Sequence, residues 1–289
     1  MAVKTILIPV SGGNSDQAVL KMGYAVASSF AAHLDFVHVE GKIADAVQFT
    51  RDIDFARGMG LQLSLRKLKC DCETDGQAAR LHVEDFCDRN KIGDGFTAPY
   101  PCDRVTGKWQ SIDHDGPRRL ISLARQHDLV IMGRSSRRSL YSRHLVERVL
   151  LECGRPILLV PSGWNASSTR TVAVWWKDHA AAARAVTAAM PLLDKAKHVS
   201  FLSVDEGASC SCEMALDVAR ELGWHGIEAD ARQLPRIEQS VINRLWRASQ
   251  GADLVVMGAF GHSRLRELIF GGCTQSVLDI GDLPVFMMH

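Results

Sequence analysis

The chain has 289 residues, 46% of them apolar and 23% charged, with a formal net charge of +1. That length exceeds one ordinary domain and supplies two buried cores, while the near-neutral, mixed charge gives no global field for nucleic acid or an anionic membrane. No apolar run approaches bilayer-spanning length, and Pro9 falls where the core of a secretory leader would continue, so a cytoplasmic protein opening on a strand is expected.

The first half opens with a strand over Lys4 to Val10, a helix over Ser15 to Ala31 and a strand over His33 to Val39. It then carries an insertion, between Gly41 and about Ile112. Two helical stretches are expected there, around Ile43 to Arg57 and Asp75 to Asn90. Leu61-Gln-Leu-Ser-Leu65 between them alternates like a strand, with a loop as the alternative. Gly93 to Pro101 is loop by composition, and so is Pro161 to Ser168, which makes the latter the linker between domains at 1–163 and 170–289.

The second half predicts a strand at about Thr171 to Trp176, a helix from Ala180 to Leu193, and a strand at about His198 to Val204. A helix from about Cys210 to Leu222 and a strand near Ile227 to Gln233 follow. Pro235 then opens a helix through Val241, Leu245 and Trp246. Asp253 to Met257 is a strand, Gly272 to Ile280 a helix and Leu283 to Met288 the closing strand. Strict alternation of strand and helix describes a doubly wound domain.

The two halves repeat each other. Asp128-Leu-Val-Ile-Met-Gly133 returns as Asp253-Leu-Val-Val-Met-Gly258, and the proline-led strand Pro156 to Val160 returns as Pro284 to Met288. Each copy is a fully buried apolar strand ending in glycine, then loop, helix and a second buried strand, the pattern of a parallel sheet covered by helices. The fold class is therefore α/β, with two doubly wound, Rossmann-like parallel-sheet domains in tandem. The two closing strands are candidate edges for pairing the domains as an intramolecular pseudo-dimer, which would remove two exposed apolar edges.

In the second copy the buried strand runs into Gly258-Ala-Phe-Gly261, and Gly271-Gly272 stand at the start of the next helix. Glycines let backbone amides approach a phosphate, and a helix N-terminus points unsatisfied N–H groups at the same spot. In an open α/β sheet this place lies beyond the carboxyl ends of the strands, where ligands bind. His262, Ser263 and Arg264 sit inside the loop, as phosphate contacts or as solvated side chains.

Gly258-x2-Gly261-x9-Gly271 after a buried strand, followed by a helix and Leu283-Pro284-Val-Phe-Met, resembles the universal stress protein family. The resemblance covers the second half and, more loosely, the first. It implies a tandem member whose fold is related to adenine-nucleotide-binding (adenine nucleotide alpha hydrolase-like) domains. It also implies ATP as the cofactor to expect, in the second domain only, and a stress-response role without a dedicated catalytic centre. The cofactor-binding residues would be Gly258, Gly261, His262, Gly271 and Gly272.

The chain departs from the family pattern in ways that bear on this reading. An aspartate usual after the first strand in ATP-binding members is replaced by Ser11 in the first copy and Lys177 in the second, and Gly272 stands where a serine or threonine hydroxyl often contacts phosphate. In the first copy Gly133 is followed by Arg134, Ser136 replaces the second glycine, and the stretch to Pro156 is shorter. That copy looks unable to cradle phosphate in the family manner. Arg134, Arg137, Arg138, Arg143 and Arg148 would offer an anion site in its place, or a basic solvated face.

Cys70-Asp-Cys72 and Cys210-Ser-Cys212 suggest metal or thiol chemistry, but residues two apart on a strand have Cα atoms about 7 Å apart, too far for easy chelation or a disulfide. Reduced cysteines and no metal are expected, and no Ser/His/Asp or HExxH context supports catalysis. Trp175 and Trp176 place one ring on each face of the sheet, in the core or with one bordering an adenine pocket. Two alternatives to nucleotide binding stay open: a ligand-free protein-interaction scaffold, and a weak ATPase or cysteine-based metal or redox sensor. A further homodimer of full chains is compatible with either.

Overall fold

The computed structural model describes residues 2–39, 59–94, 103–112, 116–134, 143–165, 169–204, 211–235, 240–259, 272–279 and 281–289. The first half contributes β1 (Thr5–Pro9), α1 (Asp16–Phe30), β2 (His33–Val39), α2 (Met59–Asn90), β3 (Gly93–Asp94), β4 (Thr106–Ile112), α3 (Gly116–Ala124), β5 (Leu129–Gly133), α4 (Arg143–Glu152) and β6 (Ile157–Val160). The second contributes β7 (Thr171–Trp175), α5 (Ala180–Leu193), β8 (His198–Val204), α6 (Ser211–Leu222), a 3-10 turn (Gly223–His225), β9 (Ala229–Leu234), α7 (Val241–Ala248), β10 (Leu254–Gly258), α8 (Gly272–Asp279) and β11 (Val285–Met288).

All the strands join one 11-stranded sheet in the order β3-β4-β2-β1-β5-β6-β11-β10-β7-β8-β9. Within each half every pairing is parallel. The halves meet through β6 and β11, which run antiparallel with Phe286 opposite Leu158. The order β4-β2-β1-β5-β6 in one half therefore mirrors β9-β8-β7-β10-β11 in the other.

Central strands such as β5 (LVIMG) are buried at every position, as strands covered on both faces must be. One apolar layer, with Val26, Ala79, Val186 and Ala219, is formed by α1, α2, α5 and α6 against one face and runs across both halves through Leu158 and Phe286. The opposite layer takes Leu120, Val149, Leu245 and Val277 from α3, α4, α7 and α8. The repeated aspartate does the same work twice. Asp128 Oδ2 accepts from the Lys4 and Thr5 amides at 2.9 and 3.0 Å, and Asp253 Oδ2 accepts from the Arg170 and Thr171 amides at 2.9 and 3.0 Å. Each anchors the start of its half's central strand.

The structure differs from the sequence expectations chiefly in the insertion. Leu61 to Leu65 is neither strand nor loop but part of the 32-residue helix α2. The leucines at 61, 65 and 68 satisfy the helical period as well as alternation does, and length decides between the two. The stretch expected as a helix at 43–57 lies outside the described residues. β4 was not anticipated because its sequence, TGKWQSI, is only half-buried near the sheet edge and lacks an apolar run.

Candidate functional site

The carboxyl end of β10 is the centre of the second half's candidate site. β10 lies between β7 and β11, and Gly258 ends it directly against the first turn of α5. A Cβ on Gly258 would stand 2.4 Å from the Ala182 nitrogen and 2.5 Å from the Ala181 carbonyl carbon, so only glycine fits. Gly133 ends β5 against the start of α1 more loosely, with the Ser15 and Val19 side chains at 3.2 and 3.3 Å from the corresponding point. Packing of strand end on helix start thus requires glycine at 258 and favours a small residue at 133.

α5 is started by His179, whose Nδ1 accepts from the Ala181 amide at 3.2 Å. Lys177 and Asp178 are exposed in the turn before it. Gly272 opens α8. Gly258 and Gly272 are therefore placed as a strand end and a helix start, whereas Gly261, His262 and Gly271 lie outside the described residues. Beyond Gly258, the Ala259 amide donates to the Met288 carbonyl at 2.8 Å, and the Ala259 carbonyl faces His289 Nδ1 at 3.2 Å.

The tryptophans split between the two faces. Trp175 donates from Nε1 to Ser249 Oγ at 2.8 Å and meets Trp246 edge to face at 4.7 Å between centroids, wholly within the core. Trp176 packs on Phe201 across the other face at 6.1 Å, and its buried Nε1 has no hydrogen-bond partner among the described residues.

In the first half the matching strand end is closed by the protein itself. The Asp16 carboxylate, buried at 3% exposure, turns back into the Ser11-Gly12 turn. Its Oδ1 accepts from the Ser11 amide at 3.1 Å and from Ser11 Oγ at 2.9 Å, and its Oδ2 accepts from the Gly12 amide at 2.8 Å. His82 of α2 reaches the same Oδ2 through Nδ1 at 3.0 Å. The Ser11 and Gly12 amides are thus taken by a carboxylate of the protein's own and are closed to an external anion. Sequence reading noted the aspartate missing at position 11 and overlooked this one; the signal was an acid in the first turn of a helix following a Ser-Gly-Gly turn.

Helix α2 lies over the same turn. Gly12 has φ of +84°, and a Cβ there would meet the Asp75 carbonyl oxygen at 2.3 Å. Gly76 approaches His38, whose Nδ1 donates to the Val10 carbonyl at 2.9 Å and whose ring stacks over Trp109 at 6.5 Å. The insertion therefore delivers a long counterpart of α6 that covers the carboxyl ends of β1 and β2.

The arginines near the first-half loop are engaged elsewhere. Arg134, 7% exposed, donates from Nη1 to the Gly281 carbonyl and from Nη2 to the Leu283 carbonyl at 3.2 Å, which ties the first half to the second. Burial pushes its pKa down to about 10, against the opposing charge of Asp282. Arg143 pairs with Glu147 at 2.7 Å and Arg148 with Glu152 at 3.1 Å. Arg137 and Arg138 lie outside the described residues.

Other polar clusters are structural. Asp35 accepts from His127 Nε2 at 2.7 Å and lies 3.6 Å from His33 Nε2. Burial pushes its carboxyl up, but the hydrogen bond from His127 and the closeness of the His127 and His33 rings outweigh that and hold it well below the usual carboxylate range. Cys87 and Cys153 are free thiols. Burial raises both, Cys87 to about 11 with help from the Asp88 charge. Cys70 and Cys72 both fall in α2, where residues two apart do not share a face. Among the described residues no three His, Cys, Asp or Glu side chains are grouped to hold a metal ion, and no helix is long and apolar enough to cross a membrane.

No curated protein matches the chain. Over 99% of its length it is similar to the crystal structure of a universal stress protein from Archaeoglobus fulgidus DSM 4304, at 16% identity and a TM-score of 0.69, covering 96% of that chain. It is also similar to a functionally unknown protein from Pseudomonas aeruginosa PAO1, at 12% identity and a TM-score of 0.57, covering 99% of this chain and 92% of that one. These likenesses establish the fold. The family model described as "Universal stress protein family" matches residues 166–289, the segment that holds β7 to β11 and the Gly258 turn. Residues 166–289 are therefore a universal stress protein domain by the family model, and the chain as a whole carries that fold twice in tandem.

Proposed function

We propose that the chain is a tandem universal stress protein, with domains at 1–163 and 170–289, whose second domain binds an adenine nucleotide, ATP, and acts in a stress response without catalysis of its own. Gly258, Gly261, His262, Gly271 and Gly272 would surround the phosphates, with the α8 N-terminus favouring their charge. The observation that carries this reading is the asymmetry between the halves. At the first half's strand end Asp16 occupies the turn amides and α2 covers it. At the second half's strand end, inside the family-matched segment, the glycine pattern of the loop is retained. Lys177 in place of an aspartate adds a cation that suits an anionic ligand.

The test is mass spectrometry of nucleotide released on denaturing gently purified protein, backed by titration with millimolar ATP. Gly261→Asp is the variant of choice, because any side chain at Gly258 would strike the α5 backbone and confuse ligand loss with misfolding. Nucleotide in the parent and none in Gly261→Asp is the expected result. No binding by the parent at millimolar ATP overturns the proposal. It would leave the second reading, a ligand-free interaction scaffold, which is favoured by the packing that already accounts for Gly258.

A further inference from the structure

The 11-stranded sheet has two edges, and they differ. At one, β3 is two residues long, Gly93–Asp94. At the other, β9 runs for six residues, Ala229–Leu234, and among the described residues pairs with β8 alone, on its inner side. No proline interrupts it; Pro235 comes only after its end. A strand of this length with an unpaired outer row of N–H and C=O groups is a template for another strand unless something blunts it.

Charge order along β9 specifies which strand would fit. Asp230 and Arg232 are both exposed and, two residues apart, project from the same face of the sheet. An antiparallel copy of the same strand, paired about Ala231, sets each Asp230 opposite the other chain's Arg232, and Ala231 opposite itself. Two opposite-charge pairs then form on one face, related by a twofold axis, as a closed dimer requires. Charges that merely kept strands apart would need no such order. Asp230 is already held at this edge, accepting from Ser200 Oγ on β8. In the 3-10 turn that precedes β9 in the chain, Trp224 is 86% exposed, the most exposed large hydrophobic side chain among those described. Tryptophans so placed are the anchors of protein interfaces.

We infer that β9 is an interface for a second copy of this chain, formed by antiparallel pairing of the two β9 strands about Ala231. Two sheets would then continue into one, with Asp230 and Arg232 setting register and partner. The inference is independent of nucleotide binding.

Sedimentation velocity of the full chain over a concentration series, at low and high salt, tests it. The parent should dimerise, and less strongly at high salt. Asp230→Arg and Arg232→Asp should each raise the dimer dissociation constant about ten-fold or more, since each turns both attractive pairs repulsive. The double variant carrying both changes should recover the parent's association. Ser200→Ala, which leaves the edge charges in place, should dimerise like the parent, and circular dichroism confirms that each variant is folded. A parent that stays monomeric up to about 100 µM, well above typical interface constants, overturns the inference. So do single reversals that dimerise as the parent does, or a double variant no better than the singles.

Discussion

Arg134 and Gly281 are joined across the junction between the halves, the guanidinium of the first donating to the carbonyl of the second. Gly281 has φ of +146°, and a Cβ there would lie 2.5 Å from both Arg134 Nη1 and Trp246 Cζ2. Gly281→Val is therefore expected to cost about 2 kcal/mol or more through backbone strain and displacement of both neighbours. Arg134→Ala, which strips two carbonyls of their donor, should cost about 1–3 kcal/mol. Urea denaturation measures both. If either variant matches the parent within error, the contact is not holding the junction.

Asp35 makes the first half sensitive to acid. Its carboxyl titrates lower in the folded chain than in the unfolded one. The stability it contributes is thus fully present above the unfolded value of about 3.9 and is lost as pH falls through the folded value. Asp35→Asn should cost about 1–3 kcal/mol at pH 7, and the gap to the parent should narrow below about pH 4. Denaturation midpoints at pH 7 and pH 3 decide the matter; a gap of equal size at both would show that the His127 and His33 contacts do not depend on the carboxylate charge.

Gly12→Ala should loosen α2. The substitution puts a methyl group where the Asp75 carbonyl lies and demands positive φ from alanine, a cost of about 1–3 kcal/mol. Amide hydrogen exchange should rise over residues 75–90 and stay unchanged in α6. Uniform exchange across both helices would mean that α2 is held by its apolar face alone.

The two described thiols should be inert. With Cys87 raised to about 11, roughly a thousandth of it is thiolate at pH 8, and Cys153 is buried at 4% exposure. Peptide mapping after iodoacetamide treatment of the native protein should find both unmodified, and both labelled once urea is added. Native labelling of Cys87 would show that its burial opens readily.

The elements most legible in sequence were those governed by local pattern. β8 and α5 run over His198–Val204 and Ala180–Leu193, the ranges read from apolar period and turn residues. The repeat motif located β5 and β10, since a strand buried on both faces has little freedom of composition. Leu61 to Leu65 was ambiguous because alternate leucines fit both periods. Trp109 and its strand β4 were missed because a near-edge strand packs few apolar groups. Asp16 was invisible as a site residue for another reason: its carboxylate gains meaning only from the turn it folds back into and from His82, far along the chain.

The antiparallel pairing of β6 with β11 reverses the polarity of the sheet halfway across. The carboxyl ends of the two halves consequently open on opposite rims of one continuous sheet. The end covered by α2 and the end formed at Gly258 cannot present a joint surface to one small partner. The described residues link the two ends only through this junction, where Val285, Phe286 and Met287 face Leu159, Leu158 and Ile157, Arg134 donates to the Gly281 and Leu283 carbonyls, and the apolar layers continue from one half into the other.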